Sequence, residues 1–185
     1  MSDWALSLPD MLDQVWQRLG RGVADAKAPA RLPVLATVSP EGWPEARTVV
    51  LRAATRSEGT CEVHTDLTSD KMASLSAAPR AALHVWEPRA QLQMRLAARV
   101  QVLSGAEAAE RWARVPDASR AGYGKHPAPG TPIPGPLDYE TRSDPAAFAV
   151  LILTLDRIEA LHLGPQHSRA LYLREDGWQG RWLSP

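Results

Sequence analysis

Between Gln91 and Val102 the chain alternates so strictly that only an extended backbone suits it. Leu92, Met94, Leu96, Ala98, Val100 and Val102 fall on one side, and Gln91, Gln93, Arg95, Ala97, Arg99 and Gln101 fall on the other. A strand of this kind has one face in a core and the other against water or a ligand. The rest of the chain must therefore supply partner strands and a cover for the apolar face.

Candidate partners occur on both sides of it. The apolar run Leu32 to Val38 reads as a strand, and Ser39-Pro40-Glu41-Gly42 is a turn that returns the chain to Arg47. Strands are also expected at 47–52, 60–65, Ala81 to Trp86, Phe148 to Leu155, Ile158 to Leu163 and Ala170 to Arg174. Phe148 to Leu155 is nearly continuous in apolar residues, which predicts burial on both faces. Met11, Leu12, Val15, Trp16 and Leu19 form one helical stripe over residues 9–20. Ser7 is the expected N-cap, Pro9 lies in the first turn, and Gly20 and Gly22 are the expected stops. This helix should cover an open end of the sheet. Further helices are predicted at 69–77, at Ala106 to Val115 behind a Ser104/Glu107 capping box, and as a turn at Asp117 to Tyr123. Residues 124–145 are proline-rich and irregular, and order there requires packing over a ligand or a partner subunit.

Composition narrows the function. The 185 residues make one domain, 1–185, and 21 basic residues balance 21 acidic ones. No general field draws nucleic acid or an anionic membrane, so any anion must be bound locally. Met1 to Trp4 carries no basic, apolar targeting run, no window is apolar enough to span a membrane, and a cytoplasmic location is expected. The lone Cys61 has no partner for an internal disulfide and, alternating with Val63, should point into the core. No metal-ligand spacing stands out.

The stretch Arg47 to Lys71 is the candidate for that local anion site. In a continuous strand Arg47-Thr48-Val49-Val50-Leu51-Arg52, the two arginines stand roughly 16 Å apart at roughly 3.3 Å per residue. This suits an elongated anion with a phosphate at one end. Antiparallel pairing of the next strand, ending in His64-Thr65, brings Thr65 beside Arg47. Thr68, Ser69 or Asp70 then caps a helix whose first turn and Lys71 point the same way.

The order of these elements resembles the FMN-binding signature of the pyridoxamine 5′-phosphate oxidase family: Arg-x-Val-Leu-Leu-Lys, Tyr-Thr, Ser-Arg-Lys, then Arg-Gln. Here those elements read Arg47-x-Val49-Val50-Leu51-Arg52, His64-Thr65, Ser69-x-Lys71 and Gln93, and the tail Leu171-Tyr172-x-Arg174-Glu175-Asp176-x-Trp178 is similar to the family's C-terminal hairpin. The resemblance implies a mostly β fold with flanking helices, an antiparallel six- or seven-stranded split barrel, and a homodimer with FMN at its interface. It implies FMN contacts at Arg47, Thr48, Val49, Val50, Leu51, Arg52, His64, Thr65, Ser69, Lys71, Gln93 and Arg169. Gln93 falls beside the flavin ring, where its amide both donates and accepts.

Departures from the pattern bear on the reaction. Asp70 stands where the family has arginine, which removes one phosphate cation. The family's substrate-holding Arg-x-His reads Pro165-Gln166-His167, leaving Arg52 and His167 as the substrate candidates. Its phosphate clamp of Tyr, Arg and Ser falls near Trp112, Pro116 and Arg120. The resemblance is therefore to an FMN-binding branch of the family and not to the vitamin-synthesising oxidase, and the expected function is that of a flavin-dependent oxidoreductase acting on an unidentified small molecule. The alternatives are an authentic pyridoxamine or pyridoxine 5′-phosphate oxidase and a flavin-binding protein without turnover.

Overall fold

A computed structural model describes residues 3–185, so the reading of Met1 and Ser2 lies outside the described residues. Two long strands form the spine. β6 (Leu92–Ser104) pairs antiparallel with β9 (Phe148–His162) from Leu92↔His162 to Ser104↔Ala149. The predicted alternation of β6 holds from Leu92 to Val100, with every second side chain buried. Gln91 is corrected out of the strand, since it sits at φ 47° closing a 3-10 turn.

The separate strands expected at 148–155 and 158–163 are one strand. Leu155 pairs with Ala98 and Arg157 with Ala97, so Asp156 is an extra, unpaired residue that lets the ladder continue past a polar step. Its carboxylate meets Arg99 at 2.9 Å. The first half of β9 is buried on both faces as expected: Phe148 and Val150 join a cluster with Ala108, Val115 and Tyr123, while Leu151 and Leu153 join the main core.

Seven further strands complete the sheet: β1 (Val34–Val38), β2 (Pro44–Thr48), β3 (Leu51–Thr55), β4 (Thr60–Asp66), β5 (Arg80–Glu87), β10 (Ser168–Leu173) and β11 (Gly180–Leu183). One path runs β2-β1-β5-β6-β9, after which β4 and β3 branch from the first half of β9, and β10 and β11 from the second. All pairings are antiparallel. β2 and β3, consecutive in the chain, do not pair, so the barrel is split between them. The continuous strand expected across 47–52 is therefore corrected. β2 belongs to β1 and β3 to β4, the chain leaves one ladder before entering the other, and Val49 N donates instead to Pro33 O. This break and the C-terminal strand β11, offset by the merging of 148–155 with 158–163, bring the main sheet to nine strands.

Helix α1 (Leu8–Ala24) is capped by Ser7, whose Oγ accepts from Asp10 N, and packs Met11, Leu12, Val15, Trp16 and Leu19 into the core. It does not stop at Gly20 or Gly22. Gly22 instead permits close approach, because a Cβ there would lie 2.6 Å from the carbonyl carbon of Ala30. The helix predicted at 69–77 is α2 (Lys71–Ala77), without a side-chain cap. The capping box at Ser104 is not made. A 3-10 turn, Gly105–Ala108, leads into a short α3 (Ala109–Ala113), and α4 (Asp117–Arg120) follows. The proline-rich segment is irregular except for a small ladder of β7 (Lys125–His126) with β8 (Glu140–Thr141). No helix among the described residues is long and apolar enough to cross a membrane.

Candidate functional site

The hairpin β1–β2 places Leu35 opposite Arg47 and Thr37 opposite Glu45. Opposed residues share a face, so Arg47 lies on the side of the sheet that carries the buried Leu35, at its open edge. Its guanidinium donates to Thr37 Oγ1 at 2.6 Å and to Glu45 Oε2 at 2.8 Å. α2 closes the other side. Lys71 Nζ donates to Thr65 Oγ1 at 2.9 Å and to Ser69 Oγ at 2.8 Å.

Lys71 is held below the ordinary lysine range, first by burial and then by the Arg47 charge, with Asp66 and Asp70 opposing. No carboxylate lies within ion-pair distance of it among the described residues. Arg47, Thr65, Ser69 and Lys71 thus come together as predicted, although through α2 and the β1–β2 hairpin and not by pairing of residues 47–52 with β4. Thr48 is exposed at the end of β2, whereas Val49 and Leu51 are buried in the core and Val50 is half-buried.

The proline-rich segment packs over this site within the same chain. Gly124 N donates to Asp66 Oδ2 at 2.7 Å, and Asp66 Oδ1 accepts from Thr68 N at 2.8 Å. Gly130 approaches Asp70 so closely that an added Cβ would meet its carboxylate at 2.8 Å. Asp70, in the place of the family's arginine, thus fits the loop to α2.

Arg52 and His64 stand elsewhere, on a cleft of ≈ 430 Å³ shared with Glu62, Arg111, Arg114 and Pro116. His64 Nε2 contacts Glu62 Oε1 at 2.8 Å, and Arg111 reaches the other carboxylate oxygen at 3.6 Å. The His64 contact, followed by Arg111, outweighs burial and keeps the Glu62 carboxyl below its usual range. Arg52 Nε is buried without a hydrogen-bond partner. Burial raises the Tyr123 phenol, and the neighbouring Arg52 charge opposes that rise.

Gln93 and Arg169 are not brought to either place. Gln93 pairs with Leu161, which pairs with Arg169, so the two share a row on the face of the sheet opposite Arg47. Arg169 is fixed to Glu159 at 2.9 Å, and Glu159, only 3% exposed in its side chain, also binds Arg95 and Arg157. Burial raises the Glu159 carboxyl, but the three arginines more than offset it and its pKa is lowered. His167 is exposed in the β9–β10 turn. The β9 residues beside the Arg52 segment are Leu151 and Ile152, whereas His167 lies beyond the far end of β9 at His162, so one chain does not join this pair.

Sequence reasoning missed Thr37, Glu45, Asp66, Ser74 and Tyr123. Only the first two left a signal, in the register of the β1–β2 hairpin.

A family profile described as pyridoxamine 5′-phosphate oxidase matches residues 23–162. No curated protein matches the chain. Among solved structures, a pyridoxamine 5′-phosphate oxidase-related, FMN-binding protein from Nostoc punctiforme is 26% identical with TM-score 0.75, over 94% of this chain and 96% of that one. PhzG from Burkholderia lata, solved with tetrahydrophenazine-1-carboxylic acid, is 17% identical with TM-score 0.71, over 96% and 92%. A heme-binding protein from Mycobacterium smegmatis is 19% identical with TM-score 0.51, over 82% and 56%. The last two share the fold alone, so the ligand must be argued from residues.

Proposed function

Since the chain belongs to the pyridoxamine 5′-phosphate oxidase family, we propose that it is an FMN-binding flavoprotein, and a flavin-dependent oxidoreductase acting on a small molecule other than the vitamin phosphate esters. One observation carries the reading. Arg47 and Lys71 converge from different elements, with Thr65 and Ser69 between them, and Lys71 is desolvated without a carboxylate partner. A half-buried ammonium held only by hydroxyls suits an incoming anion, and charge-assisted hydrogen bonds to phosphate are the strong kind. The buried, unpartnered Nε of Arg52 suits an acceptor at a second point of the same ligand.

The residues present therefore fit FMN. Lys71, Arg47, Thr65 and Ser69 would hold its phosphate, and Arg52 would meet the polar edge of its ring. Bound FMN supplies hydride and electron transfer. The protein's part is to fix the phosphate, exclude water by the proline-rich segment over Asp66 and Asp70, and hold Arg52 in a desolvated position.

Gln93 and Arg169 enter this reading through a second copy of the chain. They lie on the opposite face of the sheet from Arg47, in one row with the exposed Trp86 and Leu161. A two-fold dimer would present that row to the flavin ring of the FMN held by the partner. Fluorescence-quenching titration tests the ligand: FMN should bind at least tenfold more tightly than riboflavin, and equal affinities would overturn the phosphate assignment. Light scattering should give about twice the 20.2 kDa chain mass.

A further inference from the structure

Arg47 is already paired in this protein. Glu45 Oε2 accepts from its Nη2 at 2.8 Å and from Ser74 Oγ at 3.0 Å, with Thr37 Oγ1 at 3.4 Å, so β1, β2 and α2 together fix that carboxylate. The Ser74 hydroxyl, followed by Arg47, holds the Glu45 carboxyl below its usual range, and it stays ionised at neutral pH. Asp66 and Asp70 act on Lys71 from the other side. Two cations therefore face three carboxylates, and a doubly charged phosphate meets no local surplus of positive charge.

We propose that Glu45 is a resident counter-ion that competes with the ligand phosphate for Arg47, so that the protein holds a phosphorylated ligand less tightly than the Arg47–Lys71 pair alone would. The inference rests on the phosphate site proposed above. A phosphate oxygen that binds Arg47 Nη2 either displaces the Glu45 carboxylate or sits beside it. Displacement breaks a charge-assisted bond, and juxtaposition sets like charges within the range where they destabilise each other. Each route weakens the complex. Both act on the phosphate end alone and leave the ring end untouched.

That locality defines the test. Glu45→Gln removes the charge, while its amide oxygen still accepts from Arg47 and Ser74. FMN and riboflavin are titrated against the wild type, Glu45→Gln and the charge-preserving Glu45→Asp. Glu45→Gln should bind FMN at least fivefold more tightly, bind riboflavin within twofold of wild type, and be inhibited by inorganic phosphate at a correspondingly lower concentration. Glu45→Asp should stay within about threefold of wild type for FMN. Unchanged or weaker FMN binding by Glu45→Gln, an equal gain for riboflavin, or the same gain in Glu45→Asp would overturn the proposal. A wild type that binds FMN no better than riboflavin would instead refute the phosphate site itself, and the two failures are distinct.

Discussion

Replacing Lys71 by methionine separates binding from folding. In the folded protein the ammonium is desolvated, faces Arg47, and occupies the first residue of α2, where a positive charge opposes the helix dipole. Its two hydrogen-bond partners do not depend on it. Ser69 Oγ also donates to Asp66 O at 2.6 Å, and Thr65 Oγ1 lies 3.3 Å from Ser69 Oγ. Methionine keeps most of the side-chain volume, so apo-protein stability should not fall. The lost charge-assisted bond to phosphate is worth about 1.5–3 kcal/mol, or roughly 10- to 150-fold in FMN affinity. The pH dependence has a definite sign. A lysine whose folded pKa is lowered costs stability below that pKa, and the cost disappears as pH rises past its unfolded value, so apo wild type and variant should converge in strongly alkaline solution. Fluorescence titration with FMN, alongside thermal unfolding of the apo forms at pH 7 and above, gives both numbers. Unchanged FMN affinity, or an apo midpoint several degrees below wild type, would show that Lys71 is a structural residue.

Other outcomes follow from the same geometry. Glu159→Ala should destabilise by about 3 kcal/mol in urea unfolding, at the low end for breaking a buried ion pair because its arginines are partly exposed. Since the Glu159 pKa is lowered, its contribution should be complete above the usual glutamate range and lost as pH falls through the folded value. The Cys61 thiol is buried and pushed up to about 12, so a thiol reagent at pH 8 should label it only after unfolding. Pyridoxamine and pyridoxine 5′-phosphates should be poor substrates of the FMN-loaded protein in peroxide-release assays, because Arg52 and His167 are far apart in one chain and no Arg-x-His step precedes β10. Turnover near 1 per second, within the ordinary enzyme range, would refute this.

What was legible in the sequence was whatever a short window could carry. β6 announced itself by alternation, α1 by its stripe and cap, and the hairpin at Ser39–Gly42 by its turn residues. The errors fell where a local pattern met a long-range partner. Residues 47–52 alternate like one strand, yet β1 claims one half and β4 the other, and no window contains either partner. Asp156-Arg157 looks like a break within 148–163, yet β6 lies opposite and absorbs the extra residue as a bulge. Gly20 and Gly22 look like stops, yet Gly22 is kept for contact with Ala30. In each case tertiary pairing outweighed a propensity worth about 1 kcal/mol or less.

The candidate site divides along the same line. Arg47, Thr65, Ser69 and Lys71 are each visible as residue types and do meet, but what surrounds them was not visible. Glu45 reaches Ser74 across 29 positions, and Asp66 reaches Gly124 across 58. Those two bonds decide the charge of the site and its cover. Moreover, the donor at Gly124 is a backbone N–H, so no side-chain motif could have announced that the proline-rich segment folds onto its own chain. A zero net charge for the whole protein argues against a general anion field, but it conceals how the charges are placed. Locally, two cations stand among three carboxylates at the proposed phosphate end, while three arginines share one carboxylate on the face that carries Gln93 and Arg169. The surplus positive charge thus lies on the face turned away from Arg47. A single chain sets one more carboxylate than cations at the proposed phosphate end and carries its arginine cluster on its back, a placement that the proposed site shared between two copies would put to use.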